Sequence, residues 1–96
     1  MSEQLNNHTL LQQHPDICSR EFDGETVMMN SSLDKYFGLD EVGTRIWSIL
    51  KEKHTLREIV LTLTSEYDIQ EENCLNDITP FIESLIEDEL VIVLDN

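Results

Sequence analysis

The residues able to do chemistry in this chain are two cysteines, three histidines and a large excess of carboxylates. Cys18 and Cys74 stand far apart, and neither belongs to a C-x-x-C pair. No export signal accompanies them, so both read as free thiols of a reducing compartment. His8, His14 and His54 lie in polar, loop-like contexts without metal-ligand spacing. There is no G-x-S-x-G, no P-loop and no H-E-x-x-H. The carboxylates are many, but nothing sets two of them apart as an acid/base couple. The expectation is therefore no enzyme, no metal and no cofactor.

Charge says more about partners. Twenty acids face six bases, for a formal net charge of -14. After Arg57 there is no Lys or Arg, while Glu66, Asp68, Glu71, Glu72, Asp77, Glu83, Glu87, Asp88, Glu89 and Asp95 follow. Nucleic-acid affinity comes largely from cationic contacts that release counterions. A surface of this sign repels a phosphate backbone.

The chain has 96 residues, the size of one domain able to bury a modest core. No apolar run approaches the roughly 18 residues of a membrane span. The first residues, "MSEQLNNHTLLQQHP", carry Glu3, no cation and no apolar core, unlike a signal peptide. The expected compartment is the cytoplasm. Residues 1–15 are polar and Gln/Asn-rich and end at Pro15, so a mobile tail is expected there. The folded domain is expected over 16–96.

Three short strands are predicted next. "ICSREF" and "ETVMMN" flank Asp23-Gly24, the pair favoured in a two-residue hairpin turn because both positions need positive φ. The polar connection "NSSLD" leads to a third strand over 35–39, "KYFGL". Tyr36 and Phe37 are neighbours, so they face opposite ways. One completes the core, and the other is left for a partner.

Three helices follow. Asp40 is a good N-cap, and Val42, Ile46, Ile49 and Leu50 behind it fall at helical spacing, with Gly43 placed for close packing. Thr55-x-x-Glu58 is a capping box. Leu56, Ile59, Val60, Leu63 and Tyr67 then form a clean amphipathic stripe. The last helix is expected over 71–89. Its apolar residues Cys74, Leu75, Ile78, Phe81, Ile82, Leu85 and Ile86 cover an arc of roughly 140° at ~100° per residue, wider than one packing seam needs. Pro80 either kinks this helix or starts a new one capped by Thr79. "LVIVL" closes the pattern as a terminal strand.

This order predicts an α+β, winged-helix-turn-helix-like domain: a three-stranded antiparallel meander followed by three α-helices. In such a fold the third helix would read DNA. Here it carries seven acids and no base, whereas a groove-facing helix supplies Arg or Lys. The free edge of "KYFGL" offers another use. An extended peptide could pair with residues 35–39 and drop alternate side chains onto the third helix.

The motifs Tyr36-x-Gly38-Leu39, Glu41-x-Gly43-x-x-Ile46-Trp47, Thr55-x-x-Glu58-Ile59 and Asp77 before a Phe/Leu helix resemble those of the PqqD-like family. That resemblance spans about residues 15–94. It implies a precursor-peptide recognition element that binds the leader of a ribosomally made, modified peptide, with no catalysis of its own. It places the leader along Lys35, Tyr36, Phe37, Gly38 and Leu39, against Leu75, Ile78, Ile82, Leu85 and Ile86 of the third helix. Which edge of that helix lines the groove stays open. The resemblance leans to the standalone lasso-peptide form, whose partner is a leader peptidase. The alternative is delivery of a precursor to a radical-SAM enzyme, and the remaining one is a DNA-binding regulator. The expected partners are thus a leader peptide and a maturation enzyme, with no nucleic acid and no membrane. The expected state is a monomer, or a weak or swapped dimer.

Overall fold

A computed structural model describes residues 5–30 and 35–94. Glu3 and the connection at 31–34 lie outside the described residues. The elements are β1 (Leu10–Gln13), β2 (Ile17–Phe22), β3 (Glu25–Asn30), β4 (Lys35–Leu39), α1 (Glu41–Ile49), β5 (His54–Thr55), α2 (Leu56–Glu66), α3 (Glu71–Glu87) and β6 (Val91–Leu94). The α+β class, the meander and the three helices that follow it are as the sequence indicates.

The meander has the order β2-β3-β4 and is antiparallel throughout. Its first turn holds Asp23 at φ 53° and Gly24 at φ 78°, the positive angles that the Asp-Gly pair tolerates. Thr26, Met28 and Asn30 of β3 are buried, while Val27 is exposed. Register carries this division into β4: Met28 faces Phe37 and Met29 faces Tyr36. Phe37 therefore packs against the core, and Tyr36 stands on the outer face, 71% exposed.

Among the described residues, 5–15 depart from the expectation of a tail over 1–15 and a domain starting at 16. Residues 10–13 form β1, the middle strand of a second sheet of order β5-β1-β6. Leu11 is fully buried and Leu5 packs on the core. The glutamines that made the segment read as solvated have internal partners. Gln13 Nε2 donates to Trp47 O (2.7 Å) and Gln12 Nε2 to Lys51 O (3.3 Å). They tie β1 to the C-terminal end of α1, where Trp47 O also accepts from Leu50 N (3.2 Å), and to the residues just beyond it.

The helices begin where their caps dictate. Asp40 Oδ1 accepts from Gly43 N (2.8 Å). Thr55 and Glu58 complete both halves of the capping box. Pro80 neither ends α3 nor starts a new helix: α3 runs unbroken from Glu71 to Glu87. Thr79 Oγ1 back-bonds to Leu75 O (2.6 Å) one turn before it. Beyond α3, Glu89 sits at φ 61°, Glu89 N donates to Ile86 O and Leu90 N donates to Leu85 O. That is a Schellman closure with glutamate where glycine is usual. It turns the chain into β6.

The core joins both sheets to all three helices. Met28, Ile46, Leu50, Leu56, Ile59, Leu63, Ile82 and Leu90 are at its centre. Both cysteines are free; Cys74 is buried and Cys18 exposed. Burial pushes the Cys74 thiol up, which keeps it protonated and unreactive. Among the described residues no group of His, Cys, Asp and Glu could hold a metal ion. No described helix is long and apolar enough to cross a membrane.

Candidate functional site

β4 lies at the margin of its sheet. One side pairs with β3 from Lys35 to Leu39. The other pairs with no strand among the described residues. A backbone row of this kind can template an added strand. What stands beside that row decides whether a peptide could be held.

The row opens onto a cleft of about 470 Å³ between the end of β4, α1 and α3. Gly38 and Leu39 supply the β4 wall and Val42, Gly43 and Ile46 the floor. Asp77, Ile78 and Phe81 supply the α3 wall, and Asp40 stands at the junction of β4 and α1. Gly43 is the close approach. A β-carbon there would sit 3.1 Å from Phe81 Cζ and 3.2 Å from Leu39 Cβ. Glycine thus keeps the floor low, and its helix-propensity cost of ~1 kcal/mol is met for shape. A buried hydroxyl chain fixes the other side of α1. Thr26 Oγ1 donates to Thr44 Oγ1 (2.8 Å), which donates to Leu39 O (3.5 Å). It ties β3, α1 and the end of β4 together under the cleft.

The ten residues expected at the site divide cleanly. Gly38, Leu39 and Ile78 line the cleft. Phe37 points inward from the same strand, half-buried against the core, and Lys35 is exposed at the strand's start. Tyr36 belongs to the opposite face of the sheet. On α3, Ile82 is fully buried and Leu85 nearly so, and both belong to the core. Leu75 lies on the other edge of the helix, in a separate cleft with Leu5, Leu56 and Pro80. Ile86 is partly buried against the core, and its helical position puts it on the Leu75 side. The expected set thus joins the buried centre of the apolar arc to the edge that faces away from β4. The edge that faces β4 is the one bearing Asp77 and Phe81, four residues apart. Those two, with Asp40, Val42, Gly43 and Ile46, are the lining residues that the expected site left out.

The cleft is apolar below and anionic at its rim. Asp40 uses one carboxylate oxygen on its helix cap, and Asp77 has no ion pair among the described residues. No Lys or Arg lines the cleft.

The outer face of the meander is a second apolar surface. Phe22 (58% exposed), Val27 and Tyr36 project from it beside Met29, Cys18 and Arg20. An added strand on β4 would widen this face with its outward side chains.

Comparison with known proteins gives three findings. The family described as Coenzyme PQQ synthesis protein D (PqqD) matches residues 25–91. A comparison with curated protein sequences gives no match. Among solved structures, one described as TbiB1 in complex with the TbiA(beta) leader peptide is similar at a TM-score of 0.80 and 32% identity. The similarity covers 88% of this chain and 99% of that one. Another, a lasso peptide synthetase B1 complexed with the leader peptide, is similar at a TM-score of 0.74 and 23% identity. It covers 85% of this chain and 96% of that one, and at that identity it speaks to the fold.

Proposed function

We propose, on the premise that this chain belongs to the PqqD family, that it is a non-catalytic adaptor which binds the leader of a ribosomally made precursor peptide. The leader docks as a strand on the free edge of β4. Its inward side chains enter the cleft between β4, α1 and the Asp77–Phe81 edge of α3. The observation that carries this reading is the coincidence of an unpaired strand edge with an apolar cleft at its end. Backbone pairing supplies sequence-tolerant affinity, and the cleft supplies selection.

The lasso pathway is the favoured setting, following the motif resemblance. There the chain would present its leader to a separate peptidase. The outer face of the meander is suited to that second contact. Phe22, Val27 and Tyr36 are exposed, and a docked leader would extend their surface. The peptidase would then meet a composite face present only in the loaded adaptor.

Hydrogen–deuterium exchange with and without the precursor peptide encoded beside this chain tests the docking. Protection is expected at 35–39 and around Asp77–Phe81. An intact fold with no protection at 35–39 would refute added-strand docking. Tyr36→Ser with Val27→Ser should leave leader affinity within about twofold while slowing leader cleavage in the reconstituted system. Unchanged cleavage would refute the composite face.

A further inference from the structure

Resting on the docking just proposed, we infer that the cleft selects a basic side chain: a Lys or Arg of the docked strand that lies opposite Leu39, two residues from an apolar side chain opposite Phe37. Three observations carry this. First, Phe37 and Leu39 point to the inner face of the sheet, as their register with buried Met28 and Thr26 requires. Side chains directly opposite them on an added strand share that face. Second, the cleft beside Leu39 combines an apolar lining, Val42 and Ile46 on its floor and Phe81 on its α3 wall, with two carboxylates from different elements. Asp40 comes from the β4–α1 junction and Asp77 from α3, and no cation is among the lining residues. Lys and Arg lay methylenes along apolar surface and hold a charged head at its rim, which matches both parts of this lining. A purely apolar side chain would fill the floor and leave both carboxylates unused. An acidic one would meet them both.

Third, the docking edge is charge-polarised. Lys35 stands exposed at its start and forms no ion pair with a described residue, while Asp40 and Asp77 stand at its end. Five residues of strand span roughly 17 Å at about 3.3 Å each, beyond the ~8 Å screening length at physiological salt. The two ends therefore act on a bound peptide separately, and its basic residue fixes both register and direction.

The test uses a phage-displayed library of random nine-residue peptides, panned on the whole chain and on Asp40→Asn/Asp77→Asn. Asparagine keeps the helix cap at position 40, so the variant removes charge and retains the fold. Exchange protection at 35–39 identifies the peptides that dock on β4. Peptides from the unaltered chain are expected to be enriched in Lys or Arg two positions from an apolar residue, and those from the variant not. For a selected peptide, Lys→norleucine and Asp77→Asn should each weaken binding about three- to tenfold by fluorescence anisotropy, with no further loss when combined. Docked peptides without basic enrichment, or fully additive losses, would overturn this inference while leaving added-strand docking in place. Protection elsewhere, or no selected binder at all, would overturn both.

Discussion

The β-carbon that Gly43 lacks would lie 3.1 Å from Phe81 Cζ. Two helices distant in sequence approach here, and the contact sets the depth of the cleft beside β4. A methyl group would force the Phe81 ring by a few tenths of an ångström toward the cleft it lines. Ala is favoured over Gly within a helix by ~1 kcal/mol, which offsets that crowding. Gly43→Ala is therefore expected to melt within a few degrees of the parent while binding leader at least about fivefold more weakly. Thermal denaturation and an anisotropy titration check the two halves separately. Unaltered binding would show that cleft depth is immaterial.

Leu11 and Gln13 give the next prediction. Leu11 is fully buried, and truncating such a side chain costs roughly 2–5 kcal/mol. A domain of this size has only about 5–15 kcal/mol in total. Leu11→Ala should shift the urea midpoint strongly. Gln13→Ala, which removes the hydrogen bond to Trp47 O, should cost about 1 kcal/mol. A dispensable tail would show neither loss.

Glu89 holds a positive φ that glycine adopts at little cost. Glu89→Gly is expected to stabilise the chain by about 0.5–1 kcal/mol, or roughly 2–8 °C in Tm. A lower Tm would mean that the glutamate side chain contributes more than its backbone conformation costs.

Arg45 and Glu66 form a two-point pair, Nε to Oε1 at 2.8 Å and NH2 to Oε2 at 2.6 Å. The hydrogen bonds from Arg45 hold the Glu66 carboxyl below its ordinary value. A depressed folded-state value means the pair's contribution is present above the ordinary glutamate range and is lost as pH falls through the folded value. The pair is exposed, so the contribution is small. Carboxyl NMR titration should place the Glu66 midpoint below those of the unpaired glutamates. Arg45→Ala should return it to the ordinary range.

These sites also separate what local chemistry encodes from what packing decides. The hairpin at Asp23-Gly24, the Asp40 cap and the Thr55–Glu58 box are each specified within four residues. The stripe from Leu56 to Leu63 needs only two turns of its own helix, and all were legible in the sequence. β1 was not. Its only fully buried residue is Leu11, and Gln12 and Gln13 look solvated until Trp47 and Lys51 are brought beside them. The rotation of α3 was equally hidden. Its apolar arc has two edges of similar character, Phe81 on one and Leu75 on the other. The burial of Cys74, Ile78, Ile82 and Leu85 orients the helix, and Gly43 leaves room for Phe81 beside β4. Tyr36 and Phe37 show the intermediate case: alternation divided them, but the buried Met28 opposite Phe37 was needed to say which one points inward.

The second sheet has a consequence for how the domain comes into being. β1 leaves the ribosome early, but its neighbours are β5 at 54–55 and β6 at 91–94. The meander over 17–39 can zip from its own tight turn, because its partners are adjacent in sequence. β1 can meet the two residues of β5 first, but its other edge must wait, unmatched, until a strand some eighty residues later is released. During that interval it is an open strand looking for any partner, and the last strand of a second nascent copy would fit it as well as its own. Crowded synthesis on one message should therefore yield exchanged dimers through β1 and β6, with the cleft beside β4 intact in each subunit.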